Sequence, residues 1–103
     1  MLGWLDCTEV DAFADGVVAD LVKRAPPYGL QVPAQKAAQR LRRTHDVIFA
    51  RAEVFAREKR PNFYKKARLG NRVRWALKEA GYPPEFAAVL SEELVAVITI
   101  ASR

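Results

Sequence analysis

Six prolines fall at three places in this chain: Pro26-Pro27 with Pro33, the lone Pro61, and Pro83-Pro84. A proline lacks an amide proton and clashes with the preceding helical turn, so it closes one helix and can open the next. The intervals carry apolar residues at steps of three and four, the period of an amphipathic helix. Four helices follow from this punctuation, and with 103 residues, half of them apolar, an all-α compact bundle of about four helices in a single domain, 1–103, is expected. Short connections favour antiparallel neighbours.

Asp6 and Glu9 have the spacing of a capping box ahead of the first helix, whose stripe is Val10, Phe13, Ala14, Val17, Val18 and Leu21. The second spans about 33–60, with Ala37, Leu41, His45, Ile48, Ala52, Phe55 and Ala56 inward; Val47 and Val54, seven apart on its basic side, mark a minor contact surface. Asn62 can cap the third, which stops at Gly81 and turns Phe63, Leu69, Val73, Ala76, Leu77 and Ala80 to the core. Gly70 either permits close approach of a neighbour or breaks this helix; continuity is the favoured reading. The fourth, 84–101, is apolar almost all round, and so is either central or shared between subunits.

Charge is sorted along the chain. Residues 1–22 hold five acids and no base, residues 23–78 sixteen bases against three acids, and residues 79–103 four acids and Arg103. A basic middle between acidic ends can offer a surface to polyanions or be neutralised within the fold. The fourth helix contains the longest apolar run, Leu94 to Ala101, far short of the roughly 20 residues that span a bilayer. The first residues lack the positive region of a secretory signal, and the single Cys7 suits a reducing compartment. A cytoplasmic protein with no membrane association is expected.

One helix face gathers chemistry. Tyr64, Arg68, Asn71, Trp75 and Tyr82 project to one side of the third helix, with Arg72 beside them and Lys78 nearer the opposite flank. Aromatic rings alternating with guanidinium groups suit docking of a partner or stacking on bases. The plainer reading, favoured for a tryptophan at helical spacing in a short chain, makes Trp75 core and lets the bases snorkel. Arg57, Lys59, Arg60, Lys65, Lys66, Arg68, Arg72 and Arg74 cluster around Pro61, a corner that can lie across phosphates.

His45 lacks companions for a metal site, and Cys7 reads as a small apolar residue. Asp11 and Asp15 sit one turn apart without a third ligand, and Leu69-Gly70-Asn71 has no phosphate-loop spacing. No catalytic signature, metal or cofactor is indicated. The expectation is a non-enzymatic module that forms a homodimer through Val89, Val95 and Ile100 and holds an acidic protein on its basic–aromatic surface. The alternative is an accessory protein binding nucleic acid with little sequence preference, which requires the bases of the second and third helices on one open face.

Overall fold

The computed structural model describes residues 6–27 and 34–103, with side chains in the second segment at 39 and from 41 onward. It contains four helices: α1 Thr8–Arg24, α2 Ala34–Lys59, α3 Phe63–Glu79 and α4 Pro84–Ala101. The expected start of α2 at Pro33, and the inward Ala37, lie outside these limits. No strand occurs among the described residues, and no helix there is long and apolar enough to cross a membrane.

Helix ends follow their local chemistry. Asp6 does not close a capping box with Glu9; its Oδ1 accepts from the amide (3.0 Å) and hydroxyl (2.6 Å) of Thr8, a tighter local turn. Asn62 caps α3 as expected, its Oδ1 accepting from the Lys65 amide at 2.8 Å. At the other end Gly81 takes φ +105, and the Tyr82 amide reaches back to the Leu77 carbonyl at 3.0 Å. This wrap closes the helix, and glycine adopts its left-handed turn without a steric penalty. Between α2 and α3, Arg60 sits at φ +42, a conformation costly for a residue with a Cβ.

Residue pairings fix the topology. Glu9 meets Lys59 and Phe13 stacks on Phe55, so α1 and α2 are antiparallel. Lys66 donates to Thr99, and Gly70 faces Val95, so α3 and α4 are antiparallel too. Asp11–Arg68, Asp15–Arg72 and Ala25–Tyr82 share one sequence offset of 57, which makes α1 and α3 parallel. Leu41 lies with Val89, His45 with Glu93 and Ala50 with Val97, so α2 and α4 are parallel as well. The packed pairs are α1·α2, α1·α3, α2·α4 and α3·α4. Thus α2 and α3, joined by three residues, lie on a diagonal of the bundle, and short connections do not make every consecutive pair neighbours.

The core is built from Val10, Val17 and Leu21 on α1, Ile48 on α2, Leu69, Val73 and Leu77 on α3, and Leu94 and Ile98 on α4. Ala14, Ala52, Ala56 and Ala87 are fully buried, small side chains that let helices approach closely. Cys7 belongs to this core. Leu41 and Phe63 do not: Leu41 is exposed at the edge of the α2–α4 seam, and Phe63, the first residue of α3, is 84 % exposed. α3 runs unbroken through Gly70, where an added Cβ would lie 3.0 Å from Val95 Cγ2.

That close approach predicts that Gly70→Val destabilises the fold by about 2 kcal/mol in urea unfolding, with Val95→Ala recovering at least about 0.5 kcal/mol as coupling in the double variant. Arg60→Gly, by removing a left-handed side-chain clash, is expected to stabilise by about 1 kcal/mol in the same assay.

Candidate functional site

Helical spacing places Tyr64, Arg68, Asn71, Arg72 and Trp75 along one side of α3, where with Ala67 they line an open, shallow groove of about 510 Å³. Trp75 is 59 % exposed and Tyr64 44 % exposed. The core reading of Trp75 is therefore overturned: α3 already buries Leu69, Val73 and Leu77 against α1 and α4, and Trp75 faces away from both. Lys78, expected nearer the opposite flank, instead joins this face: three residues on from Trp75, its Nζ lies 4.5 Å from the centre of that ring, a cation–π contact.

Tyr82 does not belong to this face. The left-handed Gly81 turns the chain, so helical projection no longer holds beyond it. The Tyr82 ring is buried against Phe86, and its hydroxyl donates to the Ala25 carbonyl at 2.6 Å.

The two arginines in the groove are held by α1. Arg68 donates through Nε and Nη2 to both oxygens of Asp11 at 2.9 and 3.0 Å, and Arg72 does the same to Asp15 at 2.8 and 2.9 Å. A longer contact of 3.6 Å links Arg72 to Asp11. Two acids four residues apart meet two arginines four residues apart because parallel helices of equal rise keep register over successive turns. The fork of each guanidinium matches a carboxylate in two parallel hydrogen bonds and fixes its plane.

These bonds, ahead of the opposing effect of partial burial, hold Asp11 and Asp15 below the usual carboxylate range, and they raise both arginines. With their oxygens so occupied, Asp11 and Asp15 are not disposed as a general acid–base pair.

Further pairs continue the neutralisation. Lys59 Nζ is 2.6 Å from Glu9, whose hydrogen bond raises the lysine pKa, and Arg51 pairs with Asp20. Arg57 reaches Glu53 on its own helix at 3.6 Å. Among the described residues Arg60, Lys65 and Arg74 have no carboxylate within ion-pair distance. Arg74 lines a second shallow groove towards α4, with Asn71, Ser91 and Glu92. The cluster expected at the Pro61 corner is thus divided: Lys65, Lys66, Arg68, Arg72 and Arg74 lie on α3, with Lys66 donating to Thr99 of α4, while Arg57, Lys59 and Arg60 belong to the diagonal helix and its end. Among the described residues α2 and α3 do not pack against each other, so their bases do not line one shared helix–helix face.

The self-association residues separate too. Val95 is half-buried, its side chain turned towards Gly70, and it borders the groove that Arg74 lines instead of sharing an exposed patch with Val89 and Ile100. Val89 and Ile100 stay exposed, but the outward side of α4 also carries Glu85, Glu92 and Glu93.

His45 is half-buried, its ring centre 3.9 Å from that of Phe49 and its Nε2 3.7 Å from Glu93. No group of three or more His, Cys, Asp or Glu able to hold a metal ion occurs among the described residues. Sequence reasoning missed exposed Phe63, for which being the first residue of a helix behind a proline was the one available signal. Comparison of the chain with family models, curated proteins and solved structures gives no match.

Depressed carboxylates bind protons more weakly folded than unfolded, so their stabilisation is fully present above about pH 5 and is lost as pH falls through the unfolded and then the folded-state values. Asp11→Asn/Asp15→Asn should therefore flatten the decline of the urea midpoint between about pH 5 and 2. An unchanged slope would show that the ladder contributes nothing to acid stability.

Proposed function

We propose that this chain is a non-enzymatic helical interaction module that pairs with itself and uses the outer face of α3 to hold an acidic protein partner. The observation that carries the reading is the exposure of Trp75 and Tyr64 on one groove whose arginines are already fixed in place. Trp, Tyr and Arg are the side chains most enriched among residues that dominate interface energy. A guanidinium held by Asp11 or Asp15 has already lost its side-chain freedom, so a partner stacking on it incurs less ordering cost. Asp11 and Asp15 cancel the charge of Arg68 and Arg72, but Lys65, Arg74 and Lys78 keep the face positive. That excess favours an acidic surface and disfavours a basic one.

The paired state of Arg68 and Arg72 favours a protein over a phosphate backbone, since the charge of each guanidinium is already matched by a carboxylate bound through two hydrogen bonds. Non-specific nucleic-acid affinity comes from protein cations that neutralise phosphates and release the counterions condensed there, and these two arginines are already neutralised within the fold.

A Trp4→Phe background leaves Trp75 as the only tryptophan and makes its emission a direct reporter. Titration with a 20-residue amphipathic helical peptide bearing leucines on one face and glutamates elsewhere should shift that emission to the blue. Tyr64→Ala, read by the same emission, should weaken binding at least about tenfold. A matched lysine peptide should leave the spectrum unchanged. Equal response to both peptides, or to neither, refutes the acidic-partner reading; a labelled duplex bound tightly with a steep salt dependence would replace it with the nucleic-acid reading.

A further inference from the structure

We propose that a second copy of the chain docks on the outward ridge of α2, antiparallel and across a two-fold axis near the level of Ala50 and Arg51. This deepens the self-pairing half of the reading above by assigning it a surface and a geometry. Arg43, Val47, Ala50, Val54 and Arg57 succeed one another at steps of four, three, four and three, the spacing of a coiled-coil seam. Ala50 and Val54 are exposed and Val47 is half-buried.

The ridge stands between two shallow troughs. One, of about 670 Å³, is floored by Phe49, Val97, Ile100 and Ala101, and the other, of about 360 Å³, by Phe13 and Phe55; Ala50 borders both. A small residue on a ridge between grooves is the shape that lets a second helix interdigitate. Ile100, 64 % exposed at the rim of the larger trough, would be covered by the same partner.

The occupant follows from charge. Val47 and Val54 are centred on position 50.5, as are Arg43 and Glu58, and Asp46 and Arg57 are centred on 51.5. An antiparallel copy therefore sets Val47 against Val54, Arg43 against Glu58 and Asp46 against Arg57, each twice. In a pair centred on 50.5, Asp46 and the Arg57 across the axis are therefore offset by two residues, about 3 Å along the helix, within the reach of an arginine. Asp46 and Arg57 border the same trough, and in a two-fold antiparallel pair like flanks meet.

Arg51, which would otherwise approach its own copy, is drawn onto Asp20 of α1. A parallel pairing would oppose Arg43 to Arg43 and Asp46 to Asp46. The outward faces of α3 and α4 are respectively basic and acidic, so either would repel its own copy; the α2 ridge complements itself.

Sedimentation equilibrium from about 10 to 500 µM tests the assignment. The native chain should show a reversible equilibrium between 11.6 kDa and twice that mass. Asp46→Arg alone and Arg57→Asp alone should each weaken pairing about tenfold or more, since both place like charges across the axis. An equimolar mixture of the two variants restores opposite charges in both contacts and should pair within about threefold of the native chain. Both side chains are exposed, and far-UV circular dichroism of each variant confirms the fold before mixing.

A mass fixed at 11.6 kDa throughout overturns the proposal and the self-pairing reading together. A dimer indifferent to the single substitutions, or one that the mixture fails to restore, overturns the α2 assignment while self-pairing stands.

Discussion

The parallel packing of α1 against α3 is the constraint on which the rest of this structure depends. Parallel neighbours align their helix dipoles unfavourably, and four antiparallel neighbours would avoid that cost. Here the acids of α1 and the arginines of α3 share a four-residue spacing, so placing these helices side by side forms two bidentate pairs in one register. Once α1 and α3 are neighbours, α2 and α4 must be neighbours as well, and because α1 also packs on α2, the short link at Arg60–Asn62 has to cross a diagonal. The left-handed backbone at Arg60 is the local strain that accompanies that crossing.

The same ladder shapes the surface. Each arginine fixed by α1 presents its remaining N–H groups and its flat faces outward in a set orientation, between two aromatic rings. Neutralising the pair removes much of the attraction for phosphate while leaving a site suited to protein contact. The acids of α1 are therefore spent on assembling the bundle, Glu9, Asp11, Asp15 and Asp20 each meeting a base of α2 or α3, and the charge that remains lies on separate faces: basic along α3, acidic along α4, and alternating along α2. Each arrangement selects a different partner, since like-signed faces repel their own copies and an alternating one can match itself.

How far the sequence disclosed this varied with the kind of information. Proline and glycine punctuation yielded four helices with ends close to those observed, because those residues act on their own backbone. The caps at Asn62 and Gly81 were legible for the same reason, whereas Asp6 was assigned the wrong partner because several amides lay within its reach. Projection on a helical wheel grouped Tyr64, Arg68, Asn71 and Trp75 correctly but added Tyr82, which lies beyond the turn at Gly81. Burial was less legible: Trp75 and Phe63 were expected inside and are exposed, and Val95 was expected outside and faces Gly70. A stripe of apolar residues says that a helix has an inner side, but its width depends on how many neighbours the helix has.

The amino-acid order by itself determined the helices, their limits and the matching four-residue spacings of acids and arginines, all of them consequences of interactions within a few turns. Only the tertiary structure decided which helices became neighbours, and with that which charges were consumed and which rings stayed in water. The physical reason is that a side chain's local spacing is set by its own helix, whereas its partner and its exposure are set by helices distant in the chain.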